Sequence, residues 1–355
     1  MDDVIMGSFS KSLSFDDVLL VPQYSNIKSR SEIDLSMDFE NIPKLTLPVF
    51  SAPMDTVTED MTALKMSDRG AAGIIHRYNT PEEQARLVAS VCESYENTNT
   101  SGYRVVGAAV GVSGDFADRA LKVFNAGSRL ICVDVAHGDH ILAVNAVKEL
   151  RQIFGNRVHI MAGNIATVEG FDVLAAAGAN SIRVGIGGGS ICSTRIQTGH
   201  GMPTLESVLN CSRSEYCGDV KLIADGGIKN SGDIVKSLAA GADAVMLGSM
   251  LAGTIESPGD TVTTSDGSTK KIYRGMASIE AQISWRGHAS SEEGVSTMIP
   301  TKGPLADVLR SLEKGIRSGL SYTGSYTIEE FQRRAKFTKI SSAGMQESKT
   351  HIVNV

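Results

Sequence analysis

A glycine-rich stretch that contains a cysteine carries the clearest chemical signal in the sequence. Residues 185–195 read Gly-Ile-Gly-Gly-Gly-Ser-Ile-Cys-Ser-Thr-Arg and directly follow the apolar run 181–184. Glycines lack a Cβ, so backbone N–H groups of such a loop can approach an anion closely, and Ser190 adds a hydroxyl. Cys192 could then attack the bound molecule as a nucleophile. The stretch predicts covalent chemistry on a phosphorylated small molecule, with a loop around a buried, inert cysteine as an equal alternative.

Two later segments could join Ser190 around the same phosphate. Residues 225–227 read Asp-Gly-Gly and residues 248–249 read Gly-Ser, and both segments follow apolar runs. The Asp225 carboxylate would repel a phosphate, but it could accept hydrogen bonds from ribose hydroxyls. The ligand is then most simply a nucleoside monophosphate.

Eight short apolar runs alternate with helical patterns and must position these residues. The runs are residues 48–54, 71–76, 105–111, 129–136, 158–164, 181–187, 221–227 and 244–250. Ala-Gly pairs precede several of them, as expected where a helix ends before the next strand. Strands that are apolar nearly throughout favour a parallel sheet buried on both faces. The order predicts an α/β fold, a single-domain (β/α)₈ TIM barrel over residues 1–355 with a C-terminal flap and tail.

An open, doubly wound sheet is the alternative arrangement of such units. It would usually carry a glycine fingerprint after its first strand, where this chain reads Ser-Ala-Pro-Met at 51–54. A barrel instead places its active site at the carboxyl ends of its strands. The polar groups and glycines at the predicted ends are Met54 with Asp55, His76, Asp134 with His137, Asn164 with Thr167, the 187–192 loop, Asp225, Gly226, Gly227, Gly248 and Ser249. Any one of them could simply cap a helix, but together they favour a site.

The composition excludes several classes of function. The chain has 355 residues and a formal net charge of -6, so it presents no basic footprint for nucleic acid. No apolar stretch is long enough to span a membrane, and the acidic N-terminus does not resemble a signal peptide. Five cysteines without a paired framework favour reduced thiols and a cytoplasmic protein.

The C-terminal part of the chain is predicted to cover the site. Residues 254–300 are polar, lack strong periodicity and contain the only tryptophan, Trp285. Such a segment is typical of a mobile flap, although a flexible surface loop is the alternative. The tail, residues 340–355, is expected to be disordered alone or ordered by a neighbouring subunit.

Six segments, in the same order, carry a resemblance to a known family. They are residues 13–22, 51–58, 185–195, 225–227, 273–276 and 302–304, which read LSFDDVLLVP, SAPMDTVT, GIGGGSICSTR, DGG, YRGM and KGP. The chain thereby resembles the IMP dehydrogenase/GMP reductase family over nearly its whole length. The resemblance implies that Cys192 attacks C2 of a purine nucleoside monophosphate. IMP dehydrogenase passes a hydride from IMP to NAD and hydrolyses the adduct to XMP, whereas GMP reductase uses NADPH, releases ammonia from GMP and forms IMP.

The resemblance also implies roles for individual residues around the nucleotide. Thr194 would act on the leaving group or on water, and in a reductase it would be paired with Glu293. Substrate contacts are implied for Met54, Ser190, Asp225, Gly226, Gly227, Gly248, Ser249, Tyr273, Gly275 and Met276. The physical demand on Cys192 is that it reacts as a thiolate, which loop N–H groups and the start of a helix after Thr194 could favour.

Cofactor and cation contacts are implied in the same way. Asp134, Asn164 and Arg183 would face the nicotinamide of NADPH or NAD. A potassium ion would bind the backbone carbonyls of Gly187, Gly189 and Cys192. A neighbouring subunit's tail around residues 347–348 would complete that cation site in a homotetramer.

The flap and the length of the chain favour the reductase branch. Dehydrogenases usually carry a regulatory CBS pair between the second and third strands, and here only residues 80–103 fill that gap. Arg286 is followed by Gly287, so the flap lacks the Arg-Tyr pair whose arginine helps a dehydrogenase to activate water. Only sixteen residues separate Met276 from Glu293, which resembles a reductase flap. Residues 134–138 and 195–199 also resemble reductase segments.

Other segments resemble the dehydrogenase, so both branches stay open. They are residues 107–111 and 341–348. The flap is weighted above them because it must either deliver water or exclude it. GMP reductase is therefore the favoured prediction and IMP dehydrogenase the alternative. A non-catalytic purine-nucleotide-binding relative and a phosphosugar isomerase or synthase on the same barrel are minor alternatives.

One further hypothesis concerns the tail. Lys349 follows Glu347 and Ser348, where dehydrogenase tails often have histidine. The Lys349 ammonium is predicted to be able to substitute for the potassium ion.

Overall fold

The computed structural model describes residues 11–94, 104–290 and 292–348. The strands in these ranges are β1 (Val18–Leu20), β2 (Val49–Ser51), β3 (Ala72–Ile75), β4 (Val106–Val110), β5 (Leu130–Asp134), β6 (His159–Ile165), β7 (Ser181–Val184), β8 (Lys221–Asp225), β9 (Ala244–Leu247), β10 (Val262–Thr263), β11 (Thr269–Arg274), β12 (Ser296–Pro300) and β13 (Phe337–Lys339). Strands β2 to β9 pair in sequence order and close into a parallel barrel.

Helices alternate with the barrel strands and then follow them. They are α1 (Asp60–Asp68), α2 (Pro81–Glu93), α3 (Phe116–Asn125), α4 (Ile141–Phe154), α5 (Val168–Ala176), α6 (Thr194–Thr198), α7 (Thr204–Cys211), α8 (Ser231–Ala239), α9 (Ile279–Arg286), α10 (Leu305–Ser321), α11 (Ile328–Arg334) and α12 (Ser342–Glu347). Short 3₁₀ turns cover Phe15–Asp17, Arg30–Glu32 and Gly155–Arg157. The predicted (β/α)₈ TIM barrel is confirmed, with one barrel strand in each of the eight apolar runs, although β6 extends one residue beyond its run.

The apolar strands explain why the sheet closes. Every residue of β4 and β9 is buried, because helices cover the outside of the barrel while side chains fill its interior. Local signals set the connections between them. The Thr167 hydroxyl caps the start of α5 by accepting the Gly170 N–H, and Gly178 ends that unit with a φ of +104°, a conformation that favours glycine. These connections bring the carboxyl ends of all eight strands to one face.

Residues 254–290 and 292–300 form strands and a helix above that face. Strands β10, β11 and β12 make a three-stranded antiparallel sheet, and α9 lies between β11 and β12 along the chain. Tyr273 pairs with Thr297 and is buried, whereas its neighbour Ile272 points outward. Alternation of this kind is the signature of a half-buried strand. The mobility of this flap stays a prediction.

The two ends of the described chain meet beside the barrel. Strand β1 pairs antiparallel with β13, with Val18 opposite Lys339, and the Ile340 N–H donates to the Asp17 carbonyl. The sequence reading did not anticipate this pair of short strands. Helix α12 covers the first part of the predicted tail, while residues 349–355, including Lys349, lie outside the described residues. No described helix is long and apolar enough to cross a bilayer.

Candidate active site

A cavity of about 320 Å³ opens at the carboxyl ends of the barrel strands. The sequence-predicted residues that line it are Met54, Asp134, Asn164, Arg183, Gly187, Gly189, Cys192, Thr194, Asp225, Gly226 and Met276. The other predicted residues adjoin these through the chain or through side-chain contacts, and they are Ser190, Gly227, Gly248, Ser249, Tyr273, Gly275 and Glu293. The structure therefore gathers the whole predicted set around one cavity.

Three side chains form a hydrogen-bonded chain at the cysteine. The Cys192 thiol donates to the Thr194 hydroxyl at 3.2 Å, and that hydroxyl donates to the Glu293 carboxylate at 2.8 Å. Cys192 is partly exposed to the cavity, so a substrate can reach its sulfur. A carboxylate linked to a thiol through one hydroxyl can receive the thiol proton.

The other cysteines lack this setting. Burial raises the pKa of Cys132 and of Cys211 to about 12, and the pKa of Cys217 to about 11. Cys92 is exposed on the far end of α2, and burial of its sulfur still raises its pKa. Cys192 is thus the thiol that combines access to the cavity with a proton acceptor.

A cluster of hydroxyls and glycines lies beside the cysteine loop. The Ser190 hydroxyl is 3.5 Å from the Tyr273 hydroxyl, and Ser249 also hydrogen-bonds to Tyr273. A Cβ placed on Gly248 would lie only 3.2 Å from the Tyr273 oxygen, so a larger residue would crowd this corner. Burial raises the pKa of Tyr273, which keeps its hydroxyl protonated as a donor. The cluster offers O–H and N–H donors suited to a phosphate.

Positive φ angles hold the loop after β8 against the cysteine loop. Gly226 and Gly227 have φ angles of +91° and +77°, and a Cβ on Gly226 would lie 3.2 Å from the Gly189 nitrogen. Only glycine fits this conformation at this approach. The backbone of residues 225–227 therefore reaches the loop that carries Ser190 and Cys192.

Buried charges organise the opposite wall. The Arg183 guanidinium donates to the Asp134 carboxylate at 2.6 Å and also contacts the Asn164 side chain, while its Nε lies 3.8 Å from Asp225. The Asn164 amide donates to Asp225 at 2.8 Å. Burial alone would lower the pKa of Arg183, but its anionic neighbours outweigh burial and raise that pKa. Burial raises the pKa of Asp225, and Arg183 opposes this shift.

Three residues of the site escaped the sequence reading of its chemistry. Arg77 and Tyr78 line the cavity directly after His76, and the Tyr78 ring stacks on Trp285 of the flap with centroids 4.3 Å apart. The Arg77 guanidinium lies within 6 Å of both rings and 3.7 Å from Asp134. For Arg77 and Tyr78 the position after a barrel strand was the available signal, since such positions face the active site.

The described residues contain no cluster of His, Cys, Asp and Glu that could hold a metal ion. This leaves the predicted potassium site to backbone carbonyls. The Gly189 carbonyl accepts the Cys192 N–H at 3.2 Å, which folds the loop back on itself.

Comparison with known proteins identifies the family. A family model described as the IMP dehydrogenase / GMP reductase domain matches residues 12–351. The chain belongs to the IMP dehydrogenase/GMP reductase family. It is therefore an oxidoreductase of the nicotinamide-dependent type that this family comprises, and the predicted family is confirmed.

Relatives carry both names at similar identity. An IMP dehydrogenase of Nitrosopumilus maritimus is 35% identical over an alignment of 473 positions, which covers 97% of this chain and 99% of the relative. A GMP reductase of Leishmania major is 33% identical over an alignment of 485 positions, which covers 98% of this chain and 98% of the relative. A solved GMP reductase of Trypanosoma brucei, a cysteine-to-alanine variant in complex with guanosine 5′-monophosphate, superposes with a TM-score of 0.91 at 31% identity and 99% coverage of both chains. The choice between the two family reactions must rest on the site.

Proposed function

We propose that this family member is a GMP reductase, which converts GMP to IMP and ammonia with a reduced nicotinamide cofactor. The observation that carries the proposal is the 2.8 Å hydrogen bond from Thr194 to Glu293 beside Cys192. This pair places a hydroxyl and a carboxylate where an amino group leaving C2 needs a proton. The similarity to a structure with bound GMP supports a purine nucleotide as substrate.

The flap arginine supports the same branch. Arg286 is bound by its own segment, since its guanidinium contacts Gln282 and Ser290 and its Nε donates to the His288 carbonyl at 3.2 Å. It does not line the cavity, whose described guanidinium groups come from Arg77 and Arg183 of the barrel. A dehydrogenase needs a group that activates water at the adduct, whereas a reductase must exclude water there.

The residues at hand account for the proton movements. Cys192 loses its proton through Thr194 to Glu293, and its sulfur forms a bond to C2 of GMP. The C2–N bond then breaks, and the proton returned through Thr194 leaves with the amino group as ammonia. At the end of the reaction the sulfur departs from C2 as a thiolate, and a proton taken up from water restores the Cys192 thiol.

The nicotinamide is proposed to bind in the cavity beside the cysteine. A reduced nicotinamide, when bound, supplies the hydride that takes the place of the amino group on C2. Asp134, Asn164 and Arg183 line the wall that would hold it. The Arg77 Nε is buried and lacks a hydrogen-bond partner among the described residues, which leaves a donor for a carboxamide oxygen. We assign NADPH to the reductase and NAD to the alternative dehydrogenase.

The resemblance also implies a cation site and a homotetramer. A potassium ion would bind the carbonyls of Gly187, Gly189 and Cys192, and a neighbouring subunit's tail would complete this site in a homotetramer. Replacement of that ion by Lys349 stays a hypothesis. A cytoplasmic location agrees with five cysteines that form no disulfide in the structure.

One assay separates the reductase from the dehydrogenase. The protein is incubated with GMP and NADPH and, separately, with IMP and NAD, and nicotinamide absorbance is followed. Loss of absorbance in the first mixture alone supports the proposal, while a gain in the second alone establishes the dehydrogenase. Silence in both mixtures favours a non-catalytic relative.

The role of Cys192 is tested beside a control cysteine that lies outside the cavity. Cys192→Ala is expected to abolish turnover while GMP binding persists, and Cys92→Ala, which removes a thiol outside the cavity, is expected to retain turnover. Normal turnover by Cys192→Ala would exclude the covalent route.

A further inference from the structure

A short ladder ties the cysteine loop to the flap. The Ser193 N–H donates to the Glu293 carbonyl at 3.2 Å, and the Val295 N–H donates to the Ile191 carbonyl at 3.0 Å. Cys192 and Gly294 face each other between these two bonds as an antiparallel bridge. The flap segment therefore runs alongside the nucleophile as a paired strand and not as a free loop.

The Ser193 side chain adds a bond that its position would not predict. Ser193 is the N-cap residue of α6, where a serine hydroxyl normally accepts a backbone N–H from the first helical turn. Here it caps nothing within the helix and donates instead to the Glu292 carbonyl at 2.9 Å. The side chain is buried, at 7% exposure, so water does not compete strongly for this bond.

The two bonds from Ser193 act on consecutive carbonyls. They fix the two peptide groups that flank the Glu293 Cα, and the Glu293 side chain starts from that fixed backbone. The carboxylate then needs only its side-chain rotamer to meet the Thr194 hydroxyl at 2.8 Å. Pre-ordering of this kind lowers the entropy lost when the proton acceptor is held in place.

We propose that Ser193 is a positioning residue that holds the Glu293 carboxylate on Thr194, and so maintains the proton path from Cys192. The proposal deepens the proposed GMP reductase function and rests on it for the identity of the leaving group. Ser193 does not line the cavity, and its effect is expected to pass through Glu293.

A double-mutant cycle tests this dependence. Ser193→Ala removes one hydrogen bond, so kcat is expected to fall by roughly two- to tenfold with the KM for GMP changed by less than about twofold. In a Glu293→Gln background the same substitution is expected to change kcat by less than about twofold, because the carboxylate it positions is gone. Ser193→Thr keeps the hydroxyl and is expected to restore most of the rate.

Ser278 supplies the matched control. It is the N-cap of α9 in the same flap, is fully buried, and does cap its helix by accepting the Ala281 N–H. Any fold-loss of kcat caused by Ser278→Ala is expected to be the same whether position 293 is Glu or Gln. An equal loss from Ser193→Ala in both backgrounds would show a general effect on flap stability and overturn the proposal.

The cycle separates failure of this proposal from failure of the proposed function. It is run on whichever pair, GMP with NADPH or IMP with NAD, the wild-type protein turns over. Turnover of IMP alone overturns the reductase assignment, while the coupling of Ser193 to Glu293 is still measured. If neither pair reacts, the rate of Cys192 alkylation by iodoacetamide is followed against pH by mass spectrometry. Ser193→Ala is then expected to shift this profile in the same direction as Glu293→Gln, and an unshifted profile overturns the proposal.

Discussion

Thr194 and Glu293 lie 99 positions apart in the sequence, yet the threonine hydroxyl donates to the glutamate carboxylate at 2.8 Å. Thr194 begins α6, the helix after β7, and Glu293 belongs to the flap, so the bond exists only when the flap lies over the barrel. Chemistry at Cys192 and the position of the flap are therefore coupled through this one contact.

The first prediction concerns that contact. Glu293→Gln keeps the shape of the side chain but removes the proton acceptor, so kcat is expected to fall by about 10²- to 10⁴-fold. The exposed neighbour Glu292 is the control, because only its backbone carbonyl contacts the cysteine loop. Steady-state kinetics decides the matter, and equal rates for Glu293→Gln and Glu292→Gln would remove Glu293 from the reaction.

The second prediction concerns the buried guanidinium. Arg183→Met leaves the Asp225 carboxylate without its cation and leaves Asp134 with Arg77 alone, and it is expected to lower the free energy of unfolding by about 3–5 kcal/mol. Arg183→Lys keeps a charge but loses the forked donors, and it is expected to cost about 1–3 kcal/mol. Urea denaturation measures both.

Arg86 is the control for the second prediction. It pairs with Glu83 in solvent, with 63% of its side chain exposed, so Arg86→Met is expected to leave the free energy of unfolding nearly unchanged. Equal costs at positions 86 and 183 would mean that the network around Arg183 adds nothing to stability.

The third prediction uses the only tryptophan. The Trp285 ring stacks on Tyr78 at an interplanar angle of 12°, and such a pair contributes about 0.5–1.5 kcal/mol beyond its area. Tyr78→Leu is expected to shift Trp285 fluorescence to longer wavelength and to speed hydrogen exchange in α9, because the flap loses a contact with the barrel. Tyr24→Leu alters a tyrosine that is 86% exposed and should change neither signal. An unchanged spectrum in Tyr78→Leu would show that the stack does not hold the flap.

The fourth prediction concerns pH. His159 is fully buried between the Glu40 carbonyl and the Ser181 hydroxyl, and burial lowers its pKa to about 4 from the ordinary 6.5. The unfolded chain binds a proton at His159 more readily than the folded chain does. The contribution of neutral, buried His159 to the free energy of unfolding is therefore complete above pH 6.5 and is lost as the pH falls towards 4. The loss attributable to His159 reaches about 3 kcal/mol.

The variant His159→Gln isolates that contribution. Its unfolding free energy is expected to be lower at neutral pH but to change less between pH 6.5 and 4 than that of the wild type. The exposed His200 serves as the control, and His200→Gln should follow the wild-type profile. Parallel profiles for wild type and His159→Gln would assign the acid sensitivity to other groups.

Much of the architecture could be predicted because its signals are local. Apolar runs and Ala-Gly helix ends are properties of neighbouring residues, and they located all eight barrel strands. The resemblance then brought Cys192, Thr194 and Glu293 into one hypothesis, and the structure places them in contact. Their roles in catalysis stay predictions.

The remaining features depend on contacts between distant segments. An N-cap serine predicts a bond inside its own helix, and nothing near Ser193 in the sequence indicates that its hydroxyl turns to Glu292 instead. The stack of Tyr78 on Trp285 likewise requires knowing where the flap lies. Strands β1 and β13 have three residues each, too few for a periodic pattern to be recognised.

The pairing of β1 with β13 also bears on how the protein is made. Val18 leaves the ribosome early, but its partner Lys339 is added only after all eight barrel strands have been synthesised. The N-terminal segment must therefore wait without its strand partner while the barrel forms behind it. We expect the pairing of β1 with β13 to form last. A nascent chain stalled before residue 337 would then expose β1 to proteases while its barrel strands are already present.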